Sequence, residues 1–438
     1  MNISIIGTGY VGLVTGVCLS SLGMNVLCCD VDDKKIAKLK EGILPIYEPN
    51  LDSLLENCTS HQRLSFTTNI SEAVDHSDIL FITVNTPTLV DNTCDLQNVF
   101  GAVGSIAGCM TSRKIIVNKS TVPPGTGRKI KEDMARILET QRKLLEFDIV
   151  SNPEFLREGS AVYDFINTNR IVIGSDSEYA ISMIKEVYRD QIQCNTPILI
   201  TDIITAEMIK YASNSFLAAK ISFINEIASI CEFCGADVKE VARGMGLDSR
   251  IGPDFLNPGP GFGGSCFPKD VRALSGLAES HGVVPRMLNS ILESNKHQAE
   301  KMALKISNSI GGLEGCKIAI LGLSFKPGTD DIRESPSISI IKILLDRKAS
   351  LSVYDPKAME NVKQEYPGLP LKYCNDVYSA CMQSDCVVLA TDWMEFSCLD
   401  FKKLKMIVRK PVFLDLKNVY EPSEVRKFGF TYEGVGRK

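Results

Sequence analysis

The sequence predicts an α/β protein: two doubly wound domains joined by a long central helix. Three observations carry this. Residues 2–30 run as a short apolar strand, Gly7-Thr8-Gly9-Tyr10-Val11-Gly12, a helix through Cys18 and Leu22, a second strand and Asp30. Residues 205–235 hold no proline or internal glycine and are apolar almost all round. From residue 317 a strand, loop, helix and strand again end on an acid, Asp355, this time without the glycine pattern. Strands alternating with helices indicate parallel sheets, so both ends read as Rossmann-like.

The first unit is a dinucleotide fingerprint in its full context. Its glycines allow a tight turn and bring a pyrophosphate close to a helix N-terminus. Asp30 follows Gly12 by 18 positions. An acid there accepts from a ribose 2′-hydroxyl, which selects NAD over NADP. The alternative is a glycine turn that only packs helix on strand. Further strands are expected at residues 79–84, 114–118, 147–151, 170–173 and 197–200. Polar loops follow three of them: Asn85-Thr86-Pro87-Thr88, residues 120–126 (STVPPGT) and residues 152–159 (NPEFLREG). Open α/β sheets bind ligands at such strand ends. Thr86 and Thr121 face the nicotinamide half or serve ordinary turns. Glu158 holds a water or is an exposed loop charge.

Residues 205–235 would form a helix roughly 45 Å long. Apolar residues on all faces imply a buried spine and a dimer contact. Lys210 and Asn214, four apart, share a face of it. A lysine there is paired, working, or snorkelling to the surface. Helical segments follow at residues 237–247 and to about residue 309.

Between them lies Gly259-Pro260-Gly261-Phe262-Gly263-Gly264-Ser265-Cys266-Phe267-Pro268-Lys269-Asp270. Pro268 suits a first helical position, and Val271, Leu274, Leu277, Ala278 and His281 continue at helical spacing. Cys266 therefore precedes a helix N-terminus, where positive potential favours a thiolate. It is a nucleophile or a buried thiol in a tight turn. The last third, with strands at residues 317–321, 386–390 and 412–414, offers Lys326 and Arg333 on a loop. Trp393, the one tryptophan, lines a pocket or packs.

A net charge of −5 leaves no electrostatic footprint for nucleic acid or an anionic membrane. No apolar run is long enough for a membrane span. The N-terminus lacks a basic segment, and glycines at 7, 9, 12 and 16 interrupt it. Fifteen scattered cysteines, an odd number, read as reduced thiols of a cytoplasmic protein. Cys231 and Cys234 have no second pair at zinc spacing and read as core cysteines. His61, His76, His281 and His297 lie far apart, so no metal site is expected.

These motifs, with Ile46-Tyr47-Glu48-Pro49 and FKPGTDD at residues 325–331, resemble the UDP-glucose/GDP-mannose dehydrogenase family over the whole chain. IYEP, RIG at residues 250–252 and GFGGSCFPKD are most similar to members acting on UDP-glucose. The resemblance implies an NAD-binding domain over residues 1–204, a central helical dimerisation domain with the cysteine loop over 205–314, and a UDP-sugar-binding domain over 315–438. It implies NAD as cofactor, a UDP-sugar substrate, a homodimer through the central helix, and four-electron oxidation of a sugar alcohol to an acid. GDP-mannose, a UDP-N-acetylhexosamine, or a non-catalytic sensor of such ligands are the alternatives.

By matching motif, Cys266 is the nucleophile, with Lys210, Asn214 and Asp270 around the reacting oxygen and water. Thr121 and Glu158 serve the nicotinamide side and hydrolysis. Gly7, Gly9, Tyr10, Val11, Gly12, Asp30, Lys35, Thr86, Lys269 and Arg333 complete the cofactor set. Glu154, Phe155, Leu156, Phe255, Leu256, Asn257, Gly259, Gly263, Phe325 and Lys326 bind substrate, and Arg250 reaches it from a neighbouring subunit. The cysteine-loop glycines are expected to floor the sugar pocket. One departure is Asp415-Leu416-Lys417-Asn418, where relatives often carry Asp-Gly-Arg; no role is assigned there.

Overall fold

The computed structural model describes residues 1–89 and 91–437. It divides into two units, Met1–Ser213 and Asn214–Lys438, with the boundary inside the long helix.

In the first unit eight strands form one sheet: β1 (Asn2–Ile6), β2 (Asn25–Cys29), β3 (Leu64–Thr67), β4 (Ile79–Ile82), β5 (Lys114–Asn118), β6 (Phe147–Ser151), β7 (Ile171–Gly174) and β8 (Ile198–Thr201). Their order is β3-β2-β1-β4-β5-β6-β7-β8. Alternate residues face opposite ways, and both faces are covered. Ile3, Ile5, Val26, Cys28 and Phe81 pack into one core. Ile6, Leu27, Leu80, Ile82 and Ile116 pack into the other. Strands buried on both faces read as continuous apolar runs, which made them legible. The sheet is parallel except where Ser151 of β6 meets Gly174 of β7 in antiparallel fashion. The connection there holds only the short helix Ala161–Ile166, and a strand that returns without a full crossover enters antiparallel.

The strand order reverses at β1, between β2 and β4, which opens a crevice at their carboxyl ends. Helix α1 (Tyr10–Ser21) leaves β1 at that crevice. Helix α2 (Thr126–Thr140) follows β5. The long helix α3 spans Ile203–Cys234, 32 residues.

The second unit holds six parallel strands: β9 (Lys317–Leu321), β10 (Ser350–Tyr354), β11 (Leu371–Tyr373), β12 (Cys386–Leu389), β13 (Val412–Asp415) and β14 (Thr431–Gly434), ordered β11-β10-β9-β12-β13-β14. Ala228 and Cys231 of α3 join its core with Ile318, Ile320, Val353 and Val388. Among the helices that precede the sheet are α4 (Phe267–Ser280) and α5 (Arg286–Ile310). The expectation that α3 is buried all round is corrected here. Phe216, Phe223, Ile230 and Phe233 are 68%, 50%, 53% and 92% exposed. Their spacings of seven, seven and three place them on one stripe. Cys234 is likewise exposed while Cys231 is buried, and all fifteen cysteines are free thiols. Among the described residues no helix is long and apolar enough to cross a membrane.

A buried carboxylate on α3 fixes the loop ahead of α2. Glu207, 3% exposed, accepts from the N–H groups of Gly125 (2.6 Å) and Gly127 (2.7 Å). Burial pushes its carboxyl up to about 7 against the pull of those hydrogen bonds. A carboxyl raised above its unfolded value binds its proton more tightly in the native state. Its contribution is therefore fully present at acid pH and fades as pH rises from about 4.5 through about 7. Glu207→Gln, permanently neutral, lacks this fade. The Tm gap between wild type and variant is expected to narrow from pH 5 to pH 8; calorimetry at the two pH values checks it.

Candidate active site

The first unit carries a cleft of about 630 Å³ whose walls include Gly7, Gly9, Asp30, Lys35, Asn85 and Gln97. Each glycine of the turn has its own reason. Gly7 has φ +100°, a left-handed conformation, and a Cβ there would stand 3.0 Å from the Thr83 backbone. A Cβ on Gly12 would stand 1.9 Å from the Gly7 carbonyl oxygen. At Gly9 the nearest atom is Asn85 Oδ1 at 3.3 Å, so the missing side chain leaves the cleft open. Asp30 Oδ2 accepts from Thr8 N–H, Thr8 hydroxyl (both 2.7 Å) and Lys35 Nζ (2.9 Å). Its other oxygen takes one bond, from Asp32 N–H at 3.1 Å, leaving acceptor capacity for a ribose hydroxyl. Burial alone would raise this carboxyl; Lys35 and the Thr8 donors hold it below the usual range, so it stays ionised. An anionic acceptor beside an open glycine turn fits NAD. Tyr10 and Val11 lie outside the walls of this cleft. The Tyr10 hydroxyl accepts from Gly159 N–H at 2.8 Å.

Two adjacent loops are held above the sheet. Thr86 hydroxyl donates to the Thr121 carbonyl at 2.9 Å, tying the loop after β4 to the one after β5. Glu48 of the IYEP segment, 3% exposed, accepts from Gly159 N–H (2.6 Å) and Ala161 N–H (2.7 Å). It thereby fixes the turn that carries half-buried Glu158. Lys210 of α3 is neither exposed nor snorkelling. It is 4% exposed, and its ammonium lies 2.8 Å from Glu154 Oε1. Burial would raise the Glu154 carboxyl, but the Lys210 charge and hydrogen bonds from Lys210 and Leu156 N–H keep it below the carboxylate range. Phe155 is covered by the Arg170 guanidinium at 3.7 Å from its ring centre, and Leu156 packs on the core.

In the second unit the helix after the cysteine starts at Phe267, so Pro268 is its second residue rather than its first. Cys266 is the residue that caps it, half-buried, with its carbonyl accepting from Asp270 N–H at 2.8 Å and Sγ 3.5 Å from the Ser265 hydroxyl. Asp270 is 1% exposed. Asn214 Nδ2 donates to one of its oxygens and Lys269 Nζ to the other, each at 2.6 Å. Asn214, Cys266, Lys269 and Asp270 are thus brought together. Lys269, expected on the cofactor, is an ion partner of Asp270.

The loop glycines answer first to the protein itself. A Cβ on Gly263 would stand 2.3 Å from the Glu334 carbonyl oxygen. One on Gly264, φ +81°, would stand 2.7 Å from the Phe325 ring. Gly259 faces the Leu416 carbonyl oxygen at 3.3 Å and the Lys417 stem. Three amides that sequence reasoning passed over hold this loop. Asn225 accepts from Gly259 N–H (2.8 Å), and Gln298 donates to the Gly259 carbonyl (2.8 Å). Asn295 bonds both the N–H and carbonyl of Phe262, at 2.8 and 2.9 Å. Asn225 stands out as an amide among the apolar residues of α3, whereas Asn295 and Gln298 belong to a polar stretch of α5 and carried no such signal.

Phe255 adopts φ +63°, Leu256 is buried and Asn257 exposed. Lys326 lies 5.3 Å from the Phe325 ring centre. Arg333 forks onto Asp331, and Arg250, 87% exposed in its side chain, onto Asp248. Lys417 pairs with Asp392 at 3.2 Å. The second Rossmann-like turn is sealed. Asp355, 0% exposed, accepts from Leu323 and Ser324 N–H, the Ser324 hydroxyl and the Trp393 indole N–H at 2.7–3.2 Å. Trp393 therefore packs, and no ribose reaches this acid.

An open dinucleotide turn with an ionised acid, on the first of two Rossmann-like sheets, defines an NAD-dependent oxidoreductase. Family models of the UDP-glucose/GDP-mannose dehydrogenase NAD binding, central and UDP binding domains match residues 1–192, 204–297 and 319–422. UDP-glucose 6-dehydrogenases of Rhizobium meliloti and Rickettsia bellii are 45% and 44% identical to it, each over 100% of both chains. A UDP-glucose dehydrogenase structure from Pyrobaculum islandicum superposes with TM-score 0.91 at 37% identity, covering 100% of this chain and 98% of that one. A UDP-D-ManNAc dehydrogenase structure from Pyrococcus horikoshii gives 0.87 at 26%, covering 100% and 99%. The chain belongs to the UDP-glucose/GDP-mannose dehydrogenase family, and it is an NAD-dependent dehydrogenase.

Asn295→Ala strands two part-buried backbone groups of Phe262. It is expected to lower unfolding free energy by about 1–3 kcal/mol, read from urea denaturation. An unchanged midpoint would show that the loop does not depend on this amide.

Proposed function

We propose that the protein oxidises the C6 alcohol of UDP-glucose to the carboxylate of UDP-glucuronate, with Cys266 as covalent nucleophile. The observation that carries this is a half-buried cysteine capping α4, with Asp270 one turn on, locked by Asn214 and Lys269. The identities of 43–45% to UDP-glucose 6-dehydrogenases, against 26% to the UDP-D-ManNAc enzyme, support UDP-glucose as the sugar.

The reaction removes four electrons from one carbon. NAD held by Gly7, Gly9, Asp30 and Lys35 would supply the hydride acceptor for each of the two oxidations, two equivalents per sugar. After the first, the Cys266 thiolate adds to the aldehyde carbon and its oxygen takes a proton, giving a thiohemiacetal. The helix end favours the thiolate. Capture prevents escape of the aldehyde. The second oxidation turns the thiohemiacetal into a thioester. Water then attacks, the C–S bond breaks, and the acid and the thiol form.

Lys210, held as an ammonium by Glu154, stabilises negative charge developing on the reacting oxygen, and the Asn214 amide orients it. Asp270 or Glu158 positions the water and takes its proton. Thr121 serves the nicotinamide side. Gly7, Gly9, Asp30 and Lys35 hold the adenosine half. Phe255, Leu256, Asn257, Gly259, Gly263, Phe325 and Lys326 receive the nucleotide sugar. Arg250, exposed here, contributes from a second copy.

The homodimer forms through the exposed stripe of α3, since a row of large apolar side chains on a monomer marks an interface. Phe223→Asp is expected to convert a dimer into a monomer in sedimentation velocity. A monomeric wild type would contradict this interface.

With UDP-glucose the protein is expected to release two NADH per sugar by absorbance at saturating NAD⁺. Cys266→Ser should cut acid formation by at least about 10³-fold. One NADH per sugar, normal acid formation by Cys266→Ser, or turnover of GDP-mannose alone would overturn the proposal.

A further inference from the structure

Lys119 follows directly on β5, just ahead of Ser120 and Thr121, and is 4% exposed. Its Nζ donates to Asn152 Oδ1 at 3.1 Å and to the Tyr188 hydroxyl oxygen at 3.2 Å. The Tyr188 hydroxyl in turn donates a hydrogen bond to Asn152 Oδ1 at 2.6 Å, and Asn152 Nδ2 donates to the Val172 carbonyl at 2.8 Å. Asn152 follows β6 and stands two residues before Glu154. All of these groups lie in the first unit.

The cluster is unusual in its charge count. Two buried ammoniums, Lys119 and Lys210, act on one buried carboxylate, Glu154, and only Lys210 bonds to it. The ligands of Lys119 are neutral. A buried cation without a carboxylate in contact is costly, and a charge kept at that cost is a candidate for function. The other charged and titratable groups facing the cluster, from the elements packed around it, are Asp164, Arg170 and Tyr188. Asp164 is taken by Arg157 at 2.6 Å, and Arg170 lies on Phe155 and reaches Ser213. Burial pushes the Tyr188 hydroxyl up, so it stays neutral.

We propose that Lys119 is a positioning residue for the oxidation: its buried charge turns the neutral Lys210–Glu154 pair into a net cation, which strengthens the field Lys210 applies to the reacting oxygen. The inference rests on the role given to Lys210 above. Burial, together with the Lys210 charge and against Glu154, pulls the Lys119 ammonium down to about 8. The cation is therefore whole near neutrality and lost above that pH, after which Lys210 and Glu154 cancel.

The test is the ratio of wild-type to Lys119→Met turnover with UDP-glucose and NAD⁺ between pH 6.5 and pH 9.5. A group that only props up the fold gives a ratio that does not titrate. The expected ratio is about tenfold at the acid end and falls towards unity with a midpoint near 8. Tyr188→Phe removes one acceptor from the ammonium and is expected to bring the wild-type alkaline loss to lower pH. That variant decides the matter if Lys119→Met does not fold. A ratio independent of pH, or a Tyr188→Phe profile unmoved from wild type, overturns the inference. Lys210→Met separates the two levels. If it is inactive while the ratio is flat, only the role of Lys119 falls. If it turns over normally, the role of Lys210 falls first.

Discussion

Burial of polar groups along α3 is the constraint on which the loops of the proposed site depend. Water cannot satisfy a carboxylate, ammonium or amide placed in an apolar environment, so each must find a partner or unfold its surroundings. In the first unit Glu207 reaches the backbone ahead of α2, and Lys210 reaches Glu154. In the second, Asn214 reaches Asp270, and Asn225 reaches Gly259. These partners lie on a loop that carries or adjoins a proposed site residue or, like Gly127 and Asp270, in the first turn of the helix that follows one. Within each unit, its part of the helix thus anchors segments adjoining the proposed site residues. Removing one partner leaves the other buried and unsatisfied, so such positions tolerate little change.

The two Rossmann-like turns show how the same local plan is put to different use. Gly7 and Gly322 both take φ +100°, and each sheet follows with an acid, Asp30 or Asp355. Asp30 keeps an oxygen with spare acceptor capacity beside an open cleft. Asp355 is saturated by its own chain and closed over by Trp393. In the second unit the acid stabilises a turn; in the first it is available to a ligand. Nothing in the residues flanking Asp355 announces this, because the indole that seals it comes from a strand end 38 residues on.

Legibility in the sequence followed the range of the interactions. Strands buried on both faces, the glycine turn and the cysteine ahead of a proline-marked helix rest on local pattern, and they stand within a residue or two of where the pattern places them. Short strands such as Leu64–Thr67 and Thr431–Gly434 carry too little pattern to stand out. The exposed stripe on α3 was misjudged because composition alone cannot tell a face covered by its own chain from one left open. The glycines at 263 and 264, matched to a sugar, are also required by the chain's own packing, which no local pattern shows: a Cβ at either would strike the Glu334 carbonyl or the Phe325 ring. Asn225, Asn295, Gln298 and Lys119 escaped notice, since their meaning lies in partners 33 to 69 positions away.

The covalent route through Cys266 is tested most directly by acid-quenching a single turnover of UDP-glucose with NAD⁺ and weighing the peptide that contains this cysteine. With both candidate bases neutralised, as Asp270→Asn and Glu158→Gln together, hydrolysis slows in this account, so the acyl adduct should accumulate on that peptide with the mass of the oxidised sugar nucleotide joined by a thioester. Full release of two NADH per sugar with the Cys266 peptide unmodified at every time point would contradict it.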